Sequence, residues 1–384
     1  MAKSVEKIIA ETFLDIAEGL ETGSFGKKPK IAITGMGSEH GEENAMKAAV
    51  MAAKKGIDVY YIGSLEHEGI KTVKVADDEE GHKKMEAMVT AGEVDGAVTM
   101  HFPFPIGVST VGRVNTPALG KEMFIATTTG TSSTDRIEGM IKNAVYGIIA
   151  AKACGIEEPT VGILNVEGAR QCEMALKKLA ANGYGIKFAE SSRADGGCVM
   201  RGNDLLQGSA DVMVCDSLTG NILMKMFGSY TTGGSFEACG FGYGPGIGEG
   251  YDKLVLIVSR ASGAPVIAGA MEYAAELARN NIFEIAKKEF ASADKAGLKA
   301  ILEERKANAK GKSDDGEIKA PPKEPVAEEI FGVDVMDLED AVKLMWKNGI
   351  YAESGMGCTG PVILVSAANA EKAAEVLREG KFIE

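Results

Sequence analysis

The residues Lys30-Ile31-Ala32-Ile33-Thr34 form a short apolar run. It breaks at Gly35-Met36-Gly37-Ser38-Glu39-His40-Gly41 and continues as an alanine-rich stretch over 42–55. Gly56 ends that stretch, and Ile57-Asp58-Val59-Tyr60-Tyr61-Ile62 follows as a second apolar run. The order predicts strand, glycine turn, helix, strand. Such a β-α-β unit admits few folds, because parallel neighbours need a crossover between them. The alternation recurs: a helix over 83–91, strands at 96–100 and 123–127, and a helix over 134–153. A second set follows, with a strand at 160–165, a helix over 170–182, strands at 186–190, 210–215 and 253–259, and a helix over 265–280. The expected fold class is therefore α/β, a parallel-sheet fold split over two lobes. The chain has 48 glycines in 384 residues, well above the roughly 7% average. They concentrate in strand-end loops, where open α/β sheets bind their ligands.

Hydrophobic residues make up 45% of the chain, so a large core is available. The formal net charge is −13 with four histidines. That argues against a nucleic-acid partner or an anionic membrane surface. No apolar run approaches the roughly 18 residues of a membrane span. Over 1–28, Val5, Ile8, Ile9, Phe13, Ile16 and Leu20 repeat at helical spacing, with acids on the other face. This predicts an amphipathic helix rather than a signal peptide, docked on its own fold or at a subunit interface. Six cysteines stand at 154, 172, 198, 215, 239 and 358, without clustered spacing. They read as free thiols of a cytoplasmic protein, with neither a zinc site nor a disulfide framework, and no metal is expected. No G-x-x-x-x-G-K-[ST] occurs, so no P-loop nucleotide site is expected.

Within the expected core domain, 29–300, one loop stands apart. Gly240, Gly242, Gly244, Gly246, Gly248 and Gly250 alternate with Phe241, Tyr243 and Pro245 among others. That much glycine is too flexible for a core strand. It reads as a mobile surface loop or as a lid over the cleft between lobes. In 301–329, fourteen of 29 residues are charged, and Pro321, Pro322 and Pro325 cluster. This predicts a helix end running into a solvated linker. The remainder, 330–384, reads as a small α/β unit with helices over 338–347 and 370–379, a strand at 362–365, and Trp346 in its core.

That unit carries Gly355-Met356-Gly357-Cys358-Thr359-Gly360-Pro361. One cysteine among glycines is reachable by a ligand, and inward-turned backbone N–H groups there would lower its pKa and hold an oxyanion. The alternative is an inert thiol buried in a tight turn. The spacing also matches G-x-G-x-x-G. A dinucleotide site, however, needs a helix next and an acid about 20 residues on. Here the β-branched run Val362–Val365 follows.

In order along the chain, these segments resemble the phosphate acyltransferases of phospholipid synthesis, which move an acyl group from acyl carrier protein to phosphate. The resemblance covers roughly 30–280. Its carriers are Gly155–Asn165, Ala210–Asn221 with its Thr219-Gly220-Asn221 turn, the Gly35-Met36-Gly37 turn, and Ser259-Arg260-Ala261-Ser262-Gly263. It implies a two-lobed fold of the isocitrate dehydrogenase or phosphotransacetylase type. There are departures. Thr127-Thr128-Thr129-Gly130-Thr131 replaces an Asp-Ala-Gly-Ala-Asn segment, Val166-Glu167-Gly168 interrupts an acidic pair, and the Cys358 unit is extra.

Taken whole, including the N-terminal helix and Cys358, the chain is similar to the alpha subunits of component C of glycine/sarcosine/betaine reductase complexes of anaerobic bacteria. That resemblance implies a thiolase-like beta subunit as permanent partner and selenoprotein A as acyl donor. It implies an acetyl thioester on Cys358, released by phosphate as acetyl phosphate. Inorganic phosphate is then a co-substrate, and no cofactor is required. Phosphate attack needs an anion pocket and donors for the carbonyl oxygen. The candidates are Thr219, Gly220, Asn221, Lys225, Ser259, Arg260 and Ser262. Against this, Thr219 and Ser262 suit helix caps and Lys225 a solvated surface. The alternatives to the component C function are a stand-alone acyl-carrier-protein:phosphate acyltransferase and a non-catalytic scaffold.

Overall fold

The computed structural model describes residues 9, 12–14, 16, 17, 19, 20, 28–193, 196–311, 319–333, 337–357 and 360–383. Two compact units emerge: Met1–Asn165 with Ala175–Gly297, and Val166–Met174 with Leu298–Glu384. Of the N-terminal apolar set, Ile9, Phe13, Ile16 and Leu20 are helical and exposed. Val5 and Ile8 lie outside the described residues.

Twelve strands of the described residues form one sheet in the first unit. They are β1 (Lys30–Thr34), β2 (Asp58–Gly63), β3 (Lys71–Lys74), β4 (Gly96–Thr99), β5 (Val108–Asn115), β6 (Glu122–Thr131), β7 (Thr160–Leu164), β8 (Lys187–Phe188), β9 (Val199–Met200), β10 (Val212–Val214), β11 (Gly244–Ile247) and β12 (Val255–Ile257). Their order is β3-β2-β1-β4-β12-β11-β5-β6-β10-β7-β8, and β9 also pairs with β7. One half, β3 to β12, is parallel throughout. In the other, β6, β10, β7 and β8 run parallel, and β5 lies antiparallel to β6. The mostly parallel α/β class expected from the alternation is thus present, with its strands joined in one continuous sheet. The alanine-rich helix Glu42–Ala53 buries Ala45, Met46, Ala48, Ala49 and Ala52. Small side chains bring such a helix close to its neighbours.

The alternating-glycine stretch departs from expectation. It is neither a mobile loop nor a lid, because Gly244–Ile247 is a fully buried strand joining the two halves. It runs antiparallel to β12 through Gly244 and Pro245, then antiparallel to β5 through Gly246 and Ile247. The glycines are there for clearance. A Cβ on Gly244 would lie 1.7 Å from the Val111 carbonyl oxygen, one on Gly246 2.4 Å from Phe104, and one on Gly248 2.7 Å from the Gly107 carbonyl oxygen. Pro245 pairs only with Leu256, so it sits where one neighbour suffices.

Asp204, fully buried, belongs to the short helix Gly202–Gln207. Its carboxylate accepts from Ser191 Oγ (2.9 Å), Ser192 N (2.9 Å), Ser192 Oγ (3.1 Å), Arg201 N (2.9 Å) and Ser209 Oγ (2.9 Å). Burial alone would raise its pKa. The hydrogen bonds outweigh that and hold it at about 2, below the usual 3.8. A depressed carboxylate stabilises the fold above its unfolded pKa, and that stability is lost as pH falls through the folded value. Asp204 should thus account for a loss on the order of 2 kcal/mol between about pH 4 and pH 2. Denaturant melts of Asp204→Asn should be flatter across that window; an equally steep fall would assign the loss elsewhere.

In the second unit, β13 (Glu328–Phe331), the helix Leu338–Lys347, β14 (Ala352–Gly357), β15 (Gly360–Val365) and the helix Ala370–Glu379 follow in order. The sheet order is β13-β15-β14, with β15 antiparallel to both neighbours. This is a split β-α-β arrangement. Val333, Leu338, Met345, Ile363, Val365 and Leu377 form its core, with Trp346 packed against them. Trp346 Nε1 donates to the Ala352 carbonyl at 3.0 Å. The glycine stretch expected as a loop is instead mostly strand. Gly355 faces Val362, and Gly357 faces Gly360. Cys358, between those paired strands in sequence, lies outside the described residues, as does Thr359.

Candidate functional site

The Ser259–Gly263 turn leaves the carboxyl end of β12 and starts the helix Ala264–Arg279. Ser262 is fully buried. Its Oγ accepts from Ser259 N at 3.1 Å and donates to Glu237 Oε2 at 2.9 Å. The Gly35 turn, at the end of β1, is bonded to the same place. Glu39 N donates to the Arg260 carbonyl at 2.9 Å, and Asn44 Nδ2 to the Ser262 carbonyl at 3.0 Å. His40 Nε2 lies 3.2 Å from the Ala261 carbonyl oxygen. Two glycine-containing turns that are far apart in sequence therefore meet at the carboxyl edge of the sheet, where ligands of such sheets bind. The Arg260 side chain is exposed. Among the described residues its guanidinium has no ion-pair partner.

The helix Ser217–Ser229 follows β10. Asp216 caps it, accepting from Leu218 N at 3.1 Å, Thr219 N at 3.0 Å and Thr219 Oγ1 at 2.6 Å. Arg136 Nη2 reaches the same carboxylate at 3.0 Å. Burial works against the charge on Asp216, but the Thr219 hydrogen bonds and Arg136 outweigh it and hold its pKa below the usual carboxylate value. The donors at this helix start, Thr219 included, are thus committed to a carboxylate already in place. Gly220 lies against β6, where a Cβ would be 1.7 Å from the Thr127 carbonyl oxygen. Asn221 Nδ2 donates to the Thr128 carbonyl at 3.3 Å.

One turn further on, Lys225 Nζ stands 3.7 Å from Glu237 Oε1 and 5.8 Å from the Tyr243 ring centroid. Tyr243 Oη donates to Glu237 Oε1 at 3.4 Å. Burial, with the charge on Glu237, pushes the Tyr243 phenol well above its ordinary value, so it stays a donor. Of the sequence-derived candidates, Lys225 and Ser262 converge on Glu237, and Ser259 and Arg260 share the Ser262 turn. Asn221 adjoins through Thr128, whose Oγ1 donates to the Tyr243 carbonyl at 2.7 Å. Thr219 faces elsewhere. It lines a cavity of about 330 Å³ with Thr131, Ser132, Thr134, Arg136 and Asn143.

Glu237, 6% exposed, is the residue sequence reasoning did not find. It sits in Ser235-Phe236-Glu237-Ala238, with no local pattern to mark it. Arg136 was signalled more openly, by the hydroxyl run Thr127–Thr134 ending a strand just ahead of it. Chemically, the cluster offers an ammonium, the Ser259 hydroxyl and a strand-end turn beside a buried carboxylate, and the exposed Arg260 side chain leaves the same turn. That set suits an anion approaching from solvent. Among the described residues, no group of three or more His, Cys, Asp or Glu is placed to hold a metal ion.

A family model described as "Fatty acid synthesis protein" matches residues 29–364. The chain is 59% identical over 381 residues to the glycine/sarcosine/betaine reductase complex component C subunit alpha of Peptoclostridium acidaminophilum, covering 99% of each chain. It is 25% identical over 245 residues to a phosphate acyltransferase of Crocosphaera subtropica, covering 52% of this chain and 68% of that one. A branched-chain phosphotransacylase from Enterococcus faecalis V583 aligns in structure with a TM-score of 0.45 and 17% identity, over 65% of this chain and 99% of the other.

Proposed function

We propose a function from one premise: this chain belongs to the fatty acid synthesis protein family and, within it, to the alpha subunits of component C of glycine/sarcosine/betaine reductase complexes. It is an acyltransferase-type enzyme subunit of a multi-subunit complex. The reaction we assign is transfer of an acetyl group from the Cys358 thioester to inorganic phosphate, giving acetyl phosphate. A phosphate oxygen attacks the thioester carbonyl, the C–O bond forms and the C–S bond breaks. The thiolate leaves with the electron pair and takes up the proton released by monohydrogen phosphate. The thioester already carries the free energy for an acyl phosphate, so no nucleotide or other cofactor is called for. The partners in this scheme are a thiolase-like beta subunit and selenoprotein A as acyl donor. The setting is the cytoplasm. Among the described residues, no helix is long and apolar enough to cross a membrane.

The observation that carries the proposal is the 59% identity along 99% of both chains. The meeting of the Gly35 and Ser259 turns beside Lys225 supports it with a place for phosphate. Arg260 is the residue we assign to the incoming dianion. Unlike Arg136, it has no carboxylate partner among the described residues, and a guanidinium matches phosphate with two parallel hydrogen bonds. In the assembled complex, Arg260→Ala should raise the phosphate concentration for half-maximal acetyl phosphate formation by roughly tenfold, the loss of one charge-assisted contact. An unchanged phosphate requirement would remove Arg260 from the site.

A further inference from the structure

The chain has four histidines. His67 lies in an exposed loop, with Nδ1 2.7 Å from the Glu68 carbonyl oxygen. His82 and His101 pack edge to face, 6.4 Å between ring centroids. His40 is bonded to the Ser259–Gly263 turn, and its side chain is exposed. Three contacts hold it. Its backbone N donates to Ser38 Oγ at 3.2 Å, and Asn44 Nδ2 links the same hydroxyl, at 3.4 Å, to the Ser262 carbonyl, at 3.0 Å. Its Nε2 donates to the Ala261 carbonyl at 3.2 Å. Its ring meets the Phe236 ring edge to face, 5.8 Å between centroids. Phe236 has room there because Gly263 lacks a side chain: a Cβ on Gly263 would lie 2.9 Å from Phe236 Cδ2. The Ala261 carbonyl also fixes the tautomer. A carbonyl oxygen only accepts, so Nε2 carries the proton, and in the neutral ring Nδ1 keeps its lone pair. Among the described residues, no group donates to that nitrogen.

We infer that His40 is a catalytic residue of the transfer reaction, with Nδ1 as the base that receives the proton of monohydrogen phosphate. The assignment rests on the reaction proposed above and on Arg260 as its phosphate contact. Glu39 N donates to the Arg260 carbonyl at 2.9 Å and His40 Nε2 to the next carbonyl, that of Ala261. The imidazole and the guanidinium therefore leave adjoining residues of two bonded turns. As a phosphate oxygen attacks the acetyl carbonyl carbon, the P–O–H proton passes to Nδ1. The C–S bond then breaks, its electron pair stays on sulfur, and the imidazolium returns the proton to that sulfur. His40 ends neutral, and thioester plus monohydrogen phosphate has become acetyl phosphate plus thiol. Imidazole suits the task because it accepts and releases a proton near neutral pH. The other groups at the turn suit it less. Lys225 and Arg260 side chains carry only donors. Glu237 is buried and already accepts from Ser262 and Tyr243.

Two variants, assayed for acetyl phosphate formation in the assembled complex over a range of phosphate concentrations, separate a proton carrier from a structural contact. His40→Gln keeps an N–H donor for the Ala261 carbonyl but offers no base, and His40→Ala removes both. Each should lower the maximal rate by about a hundredfold or more. The phosphate concentration for half-maximal rate should change by less than about threefold, the reverse of the pattern expected for Arg260→Ala. Added imidazole should raise the His40→Ala rate at least about tenfold, because the vacated place is open to solvent. The same addition to His40→Gln, whose side chain fills that place, records any direct reaction of imidazole with the thioester. A His40→Gln complex with an undiminished maximal rate would overturn the assignment and leave His40 a structural contact. So would a His40→Ala complex that imidazole restores no more than it restores His40→Gln. A complex of unmodified chains that forms no acetyl phosphate would instead overturn the transfer reaction itself, and His40's step with it.

Discussion

Replacing Cys358 with serine should lower acetyl phosphate formation in the assembled complex by at least about a thousandfold. In the proposed reaction the Cys358 thiolate is the nucleophile that takes the acetyl group, and a serine hydroxyl is hardly ionised near neutral pH. The oxygen ester it would form is also a poorer acyl donor to phosphate than a thioester. Both half-reactions therefore suffer, and the slower of them sets the overall rate. The remaining cysteines are poor substitutes. Cys172, Cys198 and Cys215 are buried. Burial pushes the thiols of Cys154 and Cys215 well above their ordinary range. Cys239 is partly exposed, and its sulfur lies 3.3 Å from Thr231 Oγ1. Iodoacetamide labelling of the native chain should accordingly mark Cys358 before Cys154, Cys172 or Cys215. Mass spectrometry after supply of the acyl donor should find an acetyl adduct on the Cys358 peptide. Full activity of Cys358→Ser would end the thioester assignment whatever the labelling showed.

The fold was legible where the signal is local. The run Lys30–Thr34, its glycine turn and the alanine-rich helix follow from spacing within about 25 residues, and all three are present. The glycine-alternating stretch was misjudged because its cause is distant. Gly244 needs no side chain on account of Val111, and Gly248 on account of Gly107, more than 130 residues away in each case. Composition alone cannot distinguish a glycine kept for flexibility from one kept for clearance. The site divides in the same way. Ser259, Arg260 and Ser262 stood out because they form a strand-end turn where the family resemblance also puts one. Glu237 did not, because what defines it is contact with Ser262, Lys225 and Tyr243 on three separate segments.

Gly220→Ala should destabilise the first unit by about 2–3 kcal/mol, although alanine replaces glycine in the interior of a helix. In an open helix the same change stabilises by roughly 1 kcal/mol, because alanine has the better helix propensity. Sterics reverse the sign here. A Cβ on Gly220 would lie 1.7 Å from the Thr127 carbonyl oxygen and 3.2 Å from Cys215 Sγ, and the nearer atom is backbone within β6. That backbone is fixed on both sides: Thr127 N donates to the Cys215 carbonyl at 3.3 Å, and Thr127 Oγ1 to the Thr110 carbonyl at 2.5 Å. The helix must therefore move away from the strand. Asn221 would leave the Thr128 carbonyl, and Lys225, four residues later, would shift from Glu237. Gly220 thus sets the distance at which this helix presents its polar side chains, a structural reason for glycine in Thr219-Gly220-Asn221. Thermal melts should show Gly220→Ala falling by on the order of 5 °C. Gly202→Ala is the control. Its Cβ would meet nothing within 4 Å at the start of the helix Gly202–Gln207, and its melting temperature should stay level or rise. A Gly220→Ala chain that melts at or above the unmodified one would show that the strand yields to the added methyl, and the helix would then owe its position to something other than this contact.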